Sequence, residues 1–145
     1  MSRRSAIGIT ALSLALALSG CGGEPSPEFA PVSGVVRING RPQPRLMLRF
    51  SPDPEKGNGL PARATGTSDE QGQYTLKYEF RGEEGDGAPV GWHRVSVIDT
   101  SVGHTPQGQQ PKPSAVPHQY SNPSTTPILK EVISGEQTID IDITR

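Results

Sequence analysis

Short runs in which apolar and polar residues alternate recur along the chain from residue 32 onward. The clearest run spans residues 74–81, and its apolar positions are Tyr74, Leu76, Tyr78 and Phe80. Such a period of two predicts a β-strand with one buried face. Burying these four side chains contributes on the order of 6–10 kcal/mol of transfer free energy before chain entropy is counted. We therefore predict that this strand lies along the core.

Six further runs have the length and composition of strands, and turn signals separate them. They cover residues 32–38, 46–51, 62–67, 92–98, 128–133 and 138–144. Asn39-Gly40 is the strongest hairpin signal, and Asp69 to Gly72 predicts a second turn. Residues 128–133 are apolar at both parities, which is typical of a strand covered on both faces. Residues 82–91 are polar and predict a loop.

About seven short strands, with no convincing amphipathic helix after Cys21, predict an all-β fold: a two-sheet antiparallel sandwich. Residues 99–127 do not fit this pattern, because they lack periodicity and contain six prolines. Loops longer than about 12–15 residues are uncommon inside a compact domain and are often functional or disordered. This Pro-rich loop is therefore the candidate recognition segment.

The N-terminus has the three parts of a secretory signal. Arg3 and Arg4 supply positive charge, residues 6–18 form an apolar run, and Ser19 and Gly20 are small. The run is shorter than the roughly 20 residues that a membrane-spanning helix needs. We predict that residues 1–20 are a signal peptide that is removed by cleavage between Gly20 and Cys21.

Leu18-Ser19-Gly20-Cys21 resembles the lipobox of bacterial lipoproteins. The resemblance implies that a diacylglyceryl group is attached to the Cys21 sulfur and that the new amino group is open to further acylation. Two or more acyl chains hold a protein durably on a bilayer without crossing it. In that family, Gly22 rather than Asp after the cysteine favours sorting to the outer membrane. The alternative is an ordinary cysteine beside a simple signal cleavage site, although Cys21 has no disulfide partner in the chain.

Residues 21–31 contain three prolines and predict an extended tether of roughly 30 Å. Removing the signal peptide leaves about 125 of the 145 residues, a usual size for one domain. It also removes two of the 14 basic residues, so the 15 acidic ones give a net charge of −3. A nucleic-acid binder would show a basic patch instead. Gly and Pro are abundant, but they punctuate the alternating runs and so favour a β domain with long loops.

The order of motifs resembles the carboxypeptidase regulatory-like, or transthyretin-like, domain of bacterial lipoproteins. The matching segments are Val32-Ser33-Gly34-Val35-Val36, Asn39-Gly40-Arg41-Pro42, the run from Gly66 to Leu76, Gly91 to Val97, and Val116 to Pro123. The resemblance covers residues 32–145 and implies a prealbumin-like Greek-key sandwich of about seven strands. It implies no activity, because these domains are mostly accessory, stabilising or adhesive modules.

Candidate chemical groups each have an ordinary structural interpretation. His93 lies on the core face of its strand, whereas His104 and His118 lie in the Pro-rich loop. A metal or acid–base site would need them to converge with carboxylates. Trp92 could stack on a sugar, and a tryptophan beside a turn is more often a packing residue. The carboxylates considered for calcium are Asp53, Glu55, Asp140 and Asp142.

Known catalytic sets on related sandwiches do not fit the chain. Hydroxyisourate hydrolases of the transthyretin-like fold end in Tyr-Arg-Gly-Ser, whereas this chain ends in Ile143-Thr144-Arg145. Intradiol dioxygenases need two tyrosines and two histidines on iron, and here only His118 and Tyr120 are close in sequence. An isopeptide bond between the first and last strands would need a lysine where Arg37 stands.

The sequence therefore predicts a non-enzymatic lipoprotein of the cell envelope, anchored through Cys21, with no cofactor and no metal. The alternative is a recognition domain that binds an envelope polysaccharide or a protein partner through residues 99–127. A transthyretin-like hydrolase is the remote third hypothesis.

Overall fold

A computed structural model describes residues 26–103 and 106–145. The predicted signal peptide, the Gly20–Cys21 cleavage site and His104 lie outside the described residues. The described chain is built from β-strands and two single-turn 3-10 helices, which confirms the all-β prediction. The helices are η1 (Pro54–Lys56) and η2 (His118–Ser121). The strands are β1 (Phe29–Ala30), β2 (Val32–Ile38), β3 (Arg41–Pro42), β4 (Leu46–Pro52), β5 (Arg63–Thr67), β6 (Gln73–Thr75), β7 (Lys77–Phe80), β8 (Glu83–Asp86), β9 (Ala88–Pro89), β10 (Gly91–Asp99), β11 (Leu129–Val132), β12 (Gln137–Thr138) and β13 (Ile141–Ile143).

Two sheets pack face to face around one core. The larger sheet has the strand order β11-β10-β4-β5-β7-β8. In the smaller sheet, β2 lies between β12 and β13 on one side and β3 and β6 on the other. A two-stranded ribbon of β1 and β9 completes the fold. The most deeply buried side chains come from both sheets and include Leu46, Leu48, Phe50, Val36, Val95, Val97, Ile141 and Ile143.

Strand β2 has the bounds that its alternation predicts, and every second residue is buried. The turn after it is also confirmed: Asn39 and Gly40 have φ values of 49° and 78°, the positive pair that a type I′ turn requires. The returning strand β3 is only two residues long, and it ends at Pro42. The chain then crosses to the larger sheet, where β4 pairs with β5 and β10.

The C-terminal strands pair with β2 in parallel, with Ile141 opposite Val36 and Thr138 opposite Ser33. The prediction of an antiparallel sandwich holds for the other strand pairs of the described chain. Parallel neighbours need a long crossover connection. Here the whole larger sheet supplies it, because β4 to β11 lie between β2 and β12 along the chain.

The alternating run over residues 74–81, which was predicted to be one strand, contains parts of two strands. Its first half is β6 in the smaller sheet, and its second half is β7 in the larger sheet. The chain changes sheets at Leu76, whose N–H donates to Val32 O at 2.9 Å. Tyr74 and Leu76 therefore lie in the core, whereas Tyr78 and Phe80 are half-buried at its margin.

The prediction of a polar loop over residues 82–91 is also wrong, because this segment contains β8 and β9. Arg81 and Gly82 both have positive φ and close a tight hairpin between β7 and β8. Strand β8 is acidic and exposed at the sheet edge, so its sequence lacks the apolar alternation of a core strand. Charge at an edge strand discourages pairing with other chains.

The fold begins before the predicted boundary at residue 32. Phe29 and Ala30 form β1, which pairs with β9, and the Phe29 ring stacks on Tyr78 with centroids 3.7 Å apart. Ala30 is buried in the core. The last residues of the predicted tether over residues 21–31 therefore belong to the domain, because they pair with β9 and the Phe29 ring covers Tyr78.

Strand β11 is not covered on both faces as predicted. Among the described strands, β11 is at the edge of the larger sheet and pairs with β10 alone. Val132 is buried, but Leu129 and the following Ile133 are 37% and 57% exposed. The apolar residues at the two parities of β11 therefore have different surroundings. Val132 faces the core, whereas Leu129 and Ile133 are exposed.

We expect Gly34→Ala to destabilise the domain strongly. A Cβ at Gly34 would lie 2.0 Å from the Ile139 carbonyl oxygen, which the backbone cannot accommodate without moving β2 from its parallel neighbours. The loss should exceed about 2 kcal/mol in the free energy of unfolding, measured by urea denaturation. Gly59→Ala is the matched control, because nothing lies within 4 Å of a Cβ there. Equal midpoints for the two variants would contradict this account of the packing.

Candidate functional site

Hydrogen bonds to the Asp99 carboxylate fasten, that is, hold together, the base of the Pro-rich loop over residues 99–127. One carboxylate oxygen of Asp99 accepts the Ser101 backbone N–H at 2.9 Å, and the other accepts the Ala115 N–H at 2.8 Å. Burial raises the pKa of Asp99, but the hydrogen bonds from Ser101 and Ala115 together outweigh burial and lower it. Asp99 is therefore held as a carboxylate that closes the loop.

The second half of the loop is packed onto the sandwich. Val116 and Tyr120 belong to the core, and Tyr120 lies in η2. The Thr126 hydroxyl donates to Val95 O at 2.7 Å, and the Tyr120 hydroxyl donates to Thr144 O at 3.3 Å. These contacts join the loop to β10 and to the end of β13, so the absence of periodicity in the sequence does not mean an absence of fixed structure.

The C-terminal residue completes the fastening. Arg145 Nε donates to Ala115 O at 2.8 Å, and its Nη2 donates to Ser114 O at 3.1 Å. Its backbone N–H donates to the Asn39 side chain in the β2–β3 turn. Residues 106–114 lie between these fastenings and are exposed throughout. The loop thus has a fixed base and an accessible tip.

A pocket of about 330 Å³ lies where the outer face of the larger sheet meets the loop. Arg94 Nε is 3.3 Å from Asp53 Oδ2, and Arg94 Nη2 is 2.5 Å from Glu55 Oε2. Asp53 is buried and its other oxygen accepts the Glu55 N–H, which caps η1. The remaining wall comes from Pro123 and Ser124. The sequence does not reveal this pocket, since its residues come from three distant segments.

The four carboxylates considered for calcium form two separate pairs, each held by an arginine. Asp53 and Glu55 flank Arg94, whereas Arg37 Nη1 lies 3.0 Å from Asp140 and 3.7 Å from Asp142. A guanidinium between two carboxylates supplies the positive charge that a cation would otherwise bring. Among residues 26–103 and 106–145, no group of three or more His, Cys, Asp or Glu side chains is placed to hold a metal ion.

Asp140 also joins the last strands to the first long strand. Its Oδ1 accepts the Val35 backbone N–H at 2.9 Å. This hydrogen bond, followed by the one from Arg37, lowers the pKa of Asp140. Nearby, the buried Tyr74 hydroxyl donates to Ile139 O, and burial together with the Asp140 charge raises the Tyr74 pKa. An ion pair therefore occupies the place where an isopeptide bond would have joined these strands.

His93 and His118, the two histidines among the described residues, have different surroundings. His93 is fully buried against Phe50, with ring centroids 5.9 Å apart, whereas His118 is exposed in η2. His93 Nδ1 lies 2.9 Å from Gly91 O, which assigns the ring proton to Nδ1. Its Nε2 is buried without a hydrogen-bond partner in the described chain. Burial lowers the pKa of His93, opposed by the hydrogen bond to Gly91. His93 is therefore a core residue, as its strand parity predicts, and burial favours its neutral form.

Trp92 is half-buried, and both its ring and its backbone are engaged. Lys56 Nζ lies 5.7 Å from the ring centroid. The Trp92 carbonyl accepts the Asp53 N–H and the Asn58 side-chain N–H, both at 2.9 Å. These contacts tie the segment around η1 to β10, which favours the packing interpretation over a sugar platform.

A wider groove, of about 460 Å³, crosses the outer face of the smaller sheet. Its polar lining includes Ser33, Thr75 and Thr138, which lie opposite one another on β2, β6 and β12. One Asp69 oxygen accepts the backbone N–H groups of Gln71 and Gln73 at the groove margin. The groove therefore offers neutral hydroxyl groups beside the Asp69 carboxylate at its margin. Sequence reasoning missed it, because strand register alone brings these residues together.

We expect the stability of the domain to fall as the pH drops below about 6.5. Because the folded-state pKa of His93 lies below its ordinary value of 6.5, the unfolded chain binds the proton first. The His93 contribution is thus complete above that pH and is lost progressively below it. Thermal unfolding across this range should show the loss, and His93→Gln should reduce the slope. A slope that stays the same in His93→Gln would contradict the assignment.

No helix in the described part of the chain is long and apolar enough to cross a membrane. Comparison with known proteins gave no family model, no curated protein and no solved structure that matches this chain. The resemblance to transthyretin-like lipoprotein domains therefore stays a prediction from the sequence motifs. What the described residues offer is a pocket, a groove and a fastened loop.

Proposed function

We propose that the protein is a lipid-anchored protein of the cell envelope whose β-sandwich is a non-enzymatic structural or accessory module. The observation that carries the proposal is the position of the only cysteine, Cys21, directly after Leu18-Ser19-Gly20. The described fold begins near it, since Glu28 O already accepts the Val90 N–H at 2.9 Å. At most about 25 Å of extended chain joins Cys21 to Glu28. The anchor would thus hold the domain close to a membrane.

The ion pairs that the charged side chains form within the fold support the proposal of a structural module. Arg94 is paired with Asp53 and Glu55, and Arg37 is paired with Asp140, so both arginines neutralise carboxylates of their own fold. Catalytic groups are usually poised for a substrate by perturbed pKa values in a cleft. Here the shifted pKa values belong to groups that hold strands or the loop together, such as Asp99 and Asp140.

The prealbumin-like Greek-key arrangement and the outer-membrane location belong to the same proposal. The first long strand beside the last strands, with the larger sheet between them in sequence, is compatible with such a sandwich. Gly22 after Cys21 favours outer-membrane sorting in the lipoproteins that the N-terminus resembles. No cofactor or metal enters the proposed role.

Cys21→Ser should abolish lipidation and release the protein from the membrane, because the Cys21 sulfur is the proposed attachment atom. Full-length protein would be expressed in its own bacterial host with radiolabelled palmitate and then fractionated. The natural chain should carry label in the membrane fraction, whereas the variant should carry none. Ser26→Ala changes the predicted tether and leaves the cysteine intact, so it should behave like the natural chain. An unlabelled natural protein in the soluble fraction would overturn the proposed anchor.

A second candidate function is recognition of an envelope polysaccharide or a protein through the loop. The observation that favours it is the contrast between the fixed base, held by Asp99, Tyr120 and Arg145, and the exposed tip over residues 106–114. A loop that is fastened at both ends loses less entropy on binding than a free one. The tip carries amide, proline and lysine side chains that suit a neutral or weakly acidic polymer.

Asp99→Ala should loosen the loop and weaken any binding through it. Removing the carboxylate leaves the Ala115 N–H without its acceptor, a local cost of about 1–3 kcal/mol, so amide exchange at Ala115 should accelerate. The polymer probe is the host's own envelope polysaccharide, immobilised on beads, and retention of Asp99→Ala should fall several-fold. Asp86→Ala, whose side chain is 84% exposed, is the control. No retention of the natural protein would reject recognition of that polymer.

A further inference from the structure

Four consecutive residues in the tip of the Pro-rich loop, Gln110-Pro111-Lys112-Pro113, have a backbone that local chemistry restricts. The ring of each proline fixes φ near −65°, and a residue that precedes proline is confined to extended backbone. None of the four has a positive φ, and none forms a backbone hydrogen bond within the described chain. This combination is typical of a polyproline II helix, which needs no internal hydrogen bonds. We call residues 110–113 the prolyl segment.

Both ends of the prolyl segment are held in place. Before it, the Gln109 N–H donates to Pro106 O at 3.1 Å, and Gly108 has the positive φ, 92°, that the third residue of a type II turn requires. After it, Ser114 O accepts Arg145 Nη2 at 3.1 Å. The prolyl segment itself is exposed at every residue. It is therefore an accessible extended segment between a turn and the fastened base of the loop.

The backbone of the prolyl segment offers more acceptors than donors. Because proline has no N–H, the four residues carry four carbonyl oxygens but only two N–H groups, at Gln110 and Lys112. Tryptophan and tyrosine side chains suit such a segment, since each combines a flat apolar ring with one N–H or O–H donor. A polysaccharide offers hydroxyl groups to the same acceptors, but no aromatic ring to cover the proline rings. The segment therefore favours a protein groove lined by aromatic side chains.

The charge of the prolyl segment adds a second requirement. Lys112 is the only charged residue among residues 106–114. No ion pair joins its ammonium to a carboxylate of residues 26–103 or 106–145. A charge at the rim of an interface steers association more than it adds affinity. The matching groove therefore has an acidic residue at its rim.

We propose that the prolyl segment is bound by a protein partner, in a groove lined by aromatic side chains with an acidic residue at its rim. This rests on the second candidate function, recognition through the loop, and selects a protein over a polysaccharide. A segment that is already extended and held at both ends has little conformational entropy left to lose on binding.

The test begins with photochemical cross-linking of the full-length protein in its own bacterial host. Gln107→benzoylphenylalanine places the photoreactive ring in the turn before the prolyl segment and leaves residues 110–113 unchanged. Mass spectrometry should identify one cross-linked protein, with the cross-link beside tryptophan or tyrosine residues. That protein is then purified, and its affinity for the natural full-length chain is measured by calorimetry.

Matched variants locate the contact in the prolyl segment. Pro111→Ala combined with Pro113→Ala should raise the Kd roughly tenfold, because the replaced prolines return backbone freedom that binding must then remove. Lys112→Gln should slow association and make its rate less dependent on salt. Pro61→Ala is the control, because Pro61 is an exposed proline outside the loop. Thermal unfolding should confirm that all variants fold like the natural chain.

Three results would overturn the proposal. A partner whose affinity falls in Asp99→Ala but not in the double proline variant would reject the prolyl segment and leave recognition through the loop standing. No cross-linked protein, together with retention of the natural chain on beads of the host's envelope polysaccharide, would assign the loop to that polymer. Neither a cross-linked protein nor retention would reject both the prolyl segment and the second candidate function.

Discussion

The close approach of Gly34 to Ile139 is the constraint on which the rest of the sandwich depends. Only a residue without a Cβ allows the Ile139 carbonyl to come this near β2, where the Tyr74 hydroxyl also reaches it. Because of this approach, β13 pairs with β2 in parallel register. In this register, the Asp140 carboxylate can accept the Val35 N–H. Because Thr144 and Arg145 follow β13 directly, the loop fastenings at Tyr120 and Ala115 exist only if this register is kept.

The charged groups are arranged to stabilise connections between segments that are far apart in sequence. Arg94 reaches Asp53 and Glu55 across the sheet face, and Arg37 reaches Asp140 from the first strand to the last. Partly exposed ion pairs such as Arg37–Asp140 contribute little individually, so their value here lies in fixing which segments meet, whereas the buried Asp53 depends on Arg94 for its counter-charge. Asp99 does the same through backbone N–H groups, which makes it the point where the core ends and the loop begins.

The sequence predicts those parts of the fold that follow from local pattern. The alternation in β2, β4 and β10 and the Asn39-Gly40 turn required no knowledge of tertiary structure, and all were confirmed. The pattern failed where a neighbour decides the outcome. Leu76 changes sheets without a break in alternation, and β8 pairs through its backbone despite acidic side chains. The pocket around Arg94 is beyond sequence reasoning, because its walls meet only through strand register and the packed loop.

The two ends of β10 give the molecule a direction. Trp92 and the entering chain lie at its start, whereas Asp99 and the loop base lie at its end. Under the proposed anchor at Cys21, the start of β10 would be the attached end, because at most about 25 Å of chain joins Cys21 to Glu28. The exposed tip over residues 106–114 belongs to the loop that follows the opposite end of β10. In the second candidate function, a partner would therefore be met at the end of β10 away from the proposed anchor, where Asp99 fixes the base of the loop.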